Sequence, residues 1–197
     1  MKNLYRTALV ILTFSLFSCS SDSDSNDNPN PSGTCTSNIA FFQTGKYQKY
    51  KLTQFGSDAG TMKLTYGACN GTGLISTMEF RNTANVVTGT VQNKFWQDGV
   101  WMINDANNDG IDPRKLYKTN AALNDTWSET DADGAVVLHT VVDIDSLITV
   151  PAGSFHCKVY HYEKSDIIND SYIFWNDEFG QIMEDAGFFK IELMEYN

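Results

Sequence analysis

The residues best placed to do chemistry lie in one short stretch, Asp105-Ala106-Asn107-Asn108-Asp109-Gly110-Ile111-Asp112. Oxygen-bearing side chains at alternate positions, followed by a glycine for a sharp turn, are what a hard cation such as calcium requires of a loop. Asp105, Asn107 and Asp109 would supply the first oxygens and Asp112 another. The spacing completes only the first half of a calcium loop, because its twelfth position falls on Leu116 rather than a bidentate Glu. Asp, Asn and Gly are also ordinary turn residues, so a polar β-hairpin loop is the competing reading. No cofactor is required on either view, and calcium is the one such a loop would take.

The other reactive side chains are scattered. His156 and His161 are five apart on one expected strand and so face opposite sides, which prevents joint chelation. No His-Glu-x-x-His, Cys-x-x-Cys or Gly-x-Ser-x-Gly pattern is present. Carboxylates are abundant, and a pair of them could hydrolyse a glycoside, but Asp143/Asp145 and Asp177/Glu178 read first as solvated surface acids. Tyr160 and Tyr162 share one face of a strand. Tyr172 lies on another strand, where Trp175 points the opposite way; were the two strands paired, these aromatics would form a platform for sugar rings or the mouth of an apolar cavity. Core packing is the competing reading.

Four cysteines complete the inventory. Cys157 alternates with Phe155 and Val159 and is expected to be a small buried apolar residue. Cys35 and Cys69 are the candidate disulfide pair in an oxidising compartment, although pairing is not read from sequence alone. Cys19 is different. It follows a positive start with Lys2 and Arg6, an apolar run from Ala8 to Phe17 and small Ser18, the plan of a secretory signal peptide over residues 1–18. Residues 20–33 then hold five Ser, three Asp, three Asn and two Pro without one aliphatic or aromatic side chain. Such a segment cannot offset its ordering entropy. Residues 19–37 are therefore expected to be a tether, with a reach of about 20 Å.

Leu16-Phe17-Ser18-Cys19 resembles the lipobox of bacterial lipoproteins, which implies cleavage before Cys19, attachment of diacylglycerol to its sulfur and acylation of the new amino group. Several acyl chains anchor a protein stably, where one binds marginally. The Ser/Asp run after Cys19 resembles the export signal of Bacteroidota-type lipoproteins, implying the outer membrane and its outer face, with a periplasmic orientation as the alternative. Val150-Pro151-Ala152-Gly153-Ser154-Phe155, with the aromatic strand and glycine turn of Trp175-Asn176-Asp177-Glu178-Phe179-Gly180, resembles a pattern in TapB-like β-rich lipoproteins. That resemblance implies a β domain and carries over no catalytic residue. Asp145-Ser146-Leu147 resembles an O-glycan acceptor of secreted Bacteroidota-type proteins.

The elements that must position these residues are short. Alternating apolar and polar runs predict strands at 47–55, 61–66, 74–80, 86–96, 100–104, 114–119, 125–130, 135–148, 154–164, 171–176, 181–184 and 188–195. Turn residues at 57–60, Asn70-Gly71, Asp98-Gly99, Asp109-Gly110 and Asp133-Gly134 separate them. Residues 38–197 are thus expected to form an all-β domain: one antiparallel meander, strongly curved, closing into a barrel-like shape or splitting into a two-layer sandwich, since a flat sheet of that size leaves edges exposed. The 13% of aromatic residues suffice to fill it.

Removing residues 1–18, with Lys2 and Arg6, from 14 basic and 24 acidic side chains leaves 12 against 24, a net charge of −12. That charge repels phosphate backbones, so nucleic-acid binding is excluded as a reading. What remains is a lipid-anchored envelope protein that binds a glycan, an apolar ligand or a partner protein, against a carboxylate-dependent hydrolase. Geometry separates these readings: a hydrolase needs a deep cleft with two close carboxylates and a binding module a cavity or aromatic platform without them, while a third reading, a structural assembly subunit, needs an exposed long strand edge or an apolar patch.

Overall fold

A computed structural model describes residues 37–111, 113–130, 134–165 and 170–197. The signal peptide, residues 19–36 of the tether with Cys19 and Cys35, and Asp112 lie outside the described residues. All described residues belong to one unit, Pro31–Asn197.

Twelve strands follow one another: Tyr47–Gln54 (β1), Ser57–Cys69 (β2), Leu74–Arg81 (β3), Val87–Asp98 (β4), Trp101–Asp105 (β5), Arg114–Lys118 (β6), Thr126–Thr130 (β7), Val136–Val150 (β8), Gly153–Lys164 (β9), Ser171–Asn176 (β10), Gly180–Asp185 (β11) and Phe189–Tyr196 (β12). They form one antiparallel sheet in the order β6-β5-β4-β3-β2-β1-β12-β11-β10-β9-β8-β7. Every strand therefore pairs with its sequence neighbours except across one junction. The first and last strands close on each other, Tyr50 opposite Leu193 and Leu52 opposite Ile191. The two edges are β6 and β7, which are consecutive in the chain, so the sheet is a nearly closed barrel with a single seam.

Side chains bridge that seam where the ladder does not. Glu129 of β7 accepts the Lys115 N–H of β6 at 2.6 Å, and the Tyr160 phenol of β9 accepts from Lys118 N–H at 3.3 Å and donates to Lys118 O at 3.2 Å. Trp101 and Trp127 meet edge to face at 4.9 Å alongside. Backbone polar groups on an unpaired buried edge need such partners.

Local chemistry explains most boundaries. β8 ends at Val150 and β9 begins at Gly153, so Pro151 and Ala152 make the corner. Pro fixes φ there and has no N–H to leave unpaired. The expected turn at 57–60 is not where β1 reverses. Phe55 and Gly56 take φ of 48° and 76°, a tight two-residue hairpin turn, and residues 57–60 enter β2. Ala59 is the extra residue of a bulge, because Leu52 pairs with Gly60 while Thr53 pairs with Asp58. Gly60 is needed at that bulge: its φ is 107°, and a Cβ there would lie 2.0 Å from Arg81 O.

Two clusters of buried side chains fill the unit. Leu64, Tyr66, Phe95, Tyr117, Tyr160 and Trp175 belong to one; Tyr50, Leu52, Phe155, Cys157, Ile182 and Leu193 belong to the other, and Met78 packs on both. Cys157 is free and buried, and burial pushes its thiol up to about 12. Residues 37–46, which show no strand periodicity, join the first cluster. Ile39, Phe41 and Phe42 are each no more than 4% exposed. Phe41 packs on Tyr117 and Trp175, and Phe42 on Tyr66 and Phe95, with ring centroids 5.5 to 6.2 Å apart. These partners all stand at one rim of the barrel, which the segment plugs.

Candidate functional site

The calcium-like stretch forms the β5–β6 connection. A 3-10 turn at Ala106–Asn108 follows β5, with Asn107 and Asn108 at φ of 64° and 55°. Asp105 is buried, and both its carboxylate oxygens accept the Gly110 N–H, at 3.1 and 3.0 Å. Asp109 accepts from Ile111 N–H at 3.0 Å, and Asn107 donates its N–H to Asn93 Oδ1 at 3.1 Å. The Asp105 and Asp109 carboxylates are thus engaged with the loop's own backbone, as in an Asx-stabilised turn.

The aromatic candidates separate. Cross-strand partners point to the same side of a sheet, and Tyr172 pairs with His161 while Tyr160 pairs with Ile173. Tyr172 therefore faces away from Tyr160 and Tyr162. Tyr160 is fully buried and Trp175 is 4% exposed, both within the core. Tyr162 is half-buried against the His139 ring at 5.2 Å. Only Tyr172, 39% exposed, stands on the outer surface, stacked on the His161 ring at 4.8 Å.

That histidine lies in a group the sequence reading did not assemble. The ligand-capable atoms of His161, Glu163 and Asp170 all lie within 4.8 Å of one another, with His161 Nε2 3.4 Å from Asp170 and Nδ1 3.7 Å from Glu163. The alternation His161-x-Glu163 was visible; Asp170 is brought in only by the β9–β10 hairpin. His156 instead meets Asp145 at 2.7 Å, both well exposed. His139 is buried, stacked on Trp127 at 4.8 Å, with Nε2 3.7 Å from Glu129.

The plugged rim carries two clefts. One, of about 230 Å³, is lined by Phe41, Gln43, Lys46, Glu178, Phe179 and Tyr196 among others. Gly180 shapes its wall: at φ 85°, a Cβ would meet Gln48 Nε2 at 2.2 Å and the Phe41 ring at 3.0 Å. Gln48 donates to Phe179 O at 2.6 Å through this gap. The other cleft, about 190 Å³, lies beside Asn38, Ile39, Tyr117, Thr119 and Asp177. Lys158 Nζ reaches both Asp177 oxygens, at 2.8 and 3.0 Å, and Thr119 O at 3.2 Å, while the Tyr117 phenol donates to Asp177 at 2.5 Å. Burial first, and then Asp177, hold the Tyr117 phenol well above the ordinary tyrosine range. Asp177 is thereby matched to a cation and a donor.

Inside the barrel a cavity of about 90 Å³ is lined by Tyr50, Tyr66, Asn93, Asn104, Trp175 and Gln181 among others, with Trp175 Nε1 and Asn104 Nδ2 unbonded. At about 30 Å³ per water it holds roughly three. A drug-sized apolar ligand needs about 300 Å³ or more.

β8 carries a long exposed stretch. β7 pairs with it only from Val136 to Thr140, and the backbone of Asn124 and Asp125 extends that cover to Val141. Beyond, among the described residues, the ladder continues on the β9 side alone, interrupted by bulges around Asp143 and before Ser146. Val142, Asp143, Ile144 and Asp145 are exposed in succession, and Leu147 is 62% exposed. Further back along the strand, Val136 and Leu138 are also exposed. The acceptor-like Asp145-Ser146-Leu147 lies on this open stretch.

No family model matches the chain, and no curated protein does. Among solved structures, the fold is similar to that of a Bacteroides fragilis protein assigned as exported, with a YmcC-like fold: TM-score 0.57 at 12% identity, over 79% of this chain and 96% of the other. A Parabacteroides distasonis protein assigned as a lipoprotein aligns with TM-score 0.49 at 13% identity, over the same shares. At such identities the first likeness establishes the shared fold.

Proposed function

We propose that this chain is a lipid-anchored protein of the bacterial cell envelope that works by contact rather than by catalysis. Cleavage before Cys19 and acylation of that residue hold the molecule at a membrane, the outer membrane on the resemblance of its Ser/Asp run. The tether lets the barrel stand off the bilayer by about 20 Å. With Cys157 buried and free, and Cys19 carrying lipid, Cys35 is the partner left for Cys69, and a bridge between them would tie the end of the tether to the end of β2. The fold shared with an exported Bacteroides protein is in keeping with this reading, as is the TapB-like pattern at the β8–β9 corner.

The single observation that carries the contact role is the open stretch of β8, a free strand edge with exposed aliphatic side chains. An exposed strand edge is the mark of the assembly-subunit reading, a protein that docks another protein. A glycan platform would need the tyrosines on one open face, and Tyr160 and Trp175 are instead in the core. The hydrolase alternative rests on Glu163 and Asp170, whose carboxylates approach within 4.8 Å. Glycosidase pairs at such spacing flank a substrate cleft. These two stand half exposed on the outer surface, at 50% and 56%.

Mass spectrometry of the full chain purified from membranes tests the anchor. A diacylglyceryl and acyl mass on an N-terminal Cys19 peptide is expected; an unmodified thiol there, or an intact leader, would overturn the reading.

A further inference from the structure

We propose that residues 142–149 of β8 receive a β-strand from a partner protein, one in which aliphatic residues alternate with Lys or Arg. This rests on the contact role above and names the partner's chemistry.

A strand paired on one side only presents unpaired N–H and C=O groups that can template another strand. From Val142 to Thr149 the β9 ladder occupies one side, and among the described residues the other side has no backbone partner, the Asp145 N–H donating to Asp143 Oδ1 at 3.0 Å. At about 3.3 Å per residue the open edge is roughly 26 Å long, enough for a full strand. Val142 at 41%, Ile144 at 50% and Leu147 at 62% exposure add apolar surface that water leaves uncompensated. Hydrogen bonds from the backbone and apolar contact from alternate side chains are the two components of strand addition.

Two devices on the same stretch restrict what can add. The bulges around Asp143 and before Ser146 twist the edge, and Asp143 and Asp145 place exposed carboxylates along it. Charges and bulges commonly protect edges from self-pairing. Simple protection, however, would be served better by polar residues at 142, 144 and 147. The combination is selective. A second copy adding antiparallel brings its own Asp143 and Asp145 against these two, and like charges on facing strands repel. The chain's own tether carries Asp22, Asp24 and Asp27 and no basic residue, so it is repelled in the same way. A strand with Lys or Arg between aliphatics satisfies the carboxylates, the apolar residues and the backbone together. The titratable group already facing Asp145 is His156, at 2.7 Å; both are well exposed, so the pair opens at little cost.

The test uses the full lipidated chain in detergent micelles and a fluorescent eight-residue peptide of alternating Lys and Val, with a Glu/Val peptide as control. Anisotropy should report saturable binding of the Lys/Val peptide alone, and hydrogen exchange should slow at the amides of residues 142–149. Asp143→Lys with Asp145→Lys should weaken binding at least tenfold. Ile144→Pro, which removes an N–H and the strand's regularity, should abolish the added protection while leaving exchange in β1–β5 unchanged. Equal binding by both peptides, or binding that neither variant reduces, would overturn the proposal. So would sedimentation showing a concentration-dependent dimer that Ile144→Pro dissolves, since the occupant would then be a second copy. The anchor is read separately from the Cys19 mass, so loss of peptide binding with an intact lipid refutes this inference and leaves the envelope role standing.

Discussion

The seam makes a demanding prediction, because the Tyr160 phenol is one of the few groups that bond the β6 edge where the ladder is absent. Tyr160→Phe removes a hydroxyl and changes almost nothing else, since the ring stays packed against Tyr117 at 6.4 Å and Trp127 at 5.4 Å. The change leaves Lys118 N–H without its partner, while Lys118 O keeps the Ala121 N–H at 3.2 Å. Each buried backbone group left unpaired costs about 1–3 kcal/mol. At 3.3 Å that contact is longer than the ~2.9–3.0 Å optimum, and water can reach a sheet edge, so the lower end applies, about 1 kcal/mol. In a domain of this size that lowers Tm by roughly 2–4 °C. Calorimetry of the full chain, with urea unfolding as a second measure, reads the shift. Hydrogen exchange should accelerate at Lys118 and in β6 before other strands. Tyr172→Phe, at a half-exposed ring on the outer face, serves as the control and should stay within about 0.5 kcal/mol of the parent. If Tyr160→Phe were as innocuous as the control, that phenol would contribute nothing to the seam, and its part in the closure would be refuted.

Further outcomes follow from the plug, the thiol and the polar loop. Phe41→Ala should cost about 3–5 kcal/mol, as other buried Phe truncations do, and Gly180→Ala at least about 2 kcal/mol through its left-handed φ and the Gln48 clash, both read by urea midpoints at constant m. Cys157 should resist Ellman's reagent until the chain unfolds. Burial raises its folded value from 9.0 to about 12, so its contribution to stability is complete below pH 9 and is lost as pH rises toward 12; Cys157→Ala should flatten the alkaline stability slope by up to about 1.4 kcal/mol per pH unit, and an unchanged slope would contradict the burial argument. Millimolar calcium should leave Tm unchanged, because Asp105 and Asp109 are engaged with backbone N–H groups. A calcium-induced rise that Asp109→Ala abolishes would show that the loop opens to a cation.

The sequence by itself determined the elements. Period-two alternation in runs such as Tyr47–Gln54, cut by Asn70-Gly71, Asp98-Gly99 and the Pro151 corner, is local information, and all twelve strands could be placed from it within a few residues. A single antiparallel meander follows, because short turns between strands permit little else. Even the misplaced first turn was a local matter, since Phe55 tolerates a positive φ that its residue type does not advertise.

Only the tertiary structure decided which face of each strand became the inside, and where the ring stayed open. Bulges opposite Val159 and Tyr160 bring both of these neighbours into the core, so Tyr160 is lost to any surface platform although its spacing from Tyr162 is regular. The run Ile39-Ala40-Phe41-Phe42 is too short to carry a period, and its burial depends on a barrel rim assembled from residues as distant as Tyr66, Phe95, Tyr117 and Trp175. Closure of β1 on β12 likewise leaves β6 and β7 as edges, and the shortness of β7 exposes the far half of β8. Those outcomes depend on pairings between residues far apart in the chain, a long-range property that no local window records.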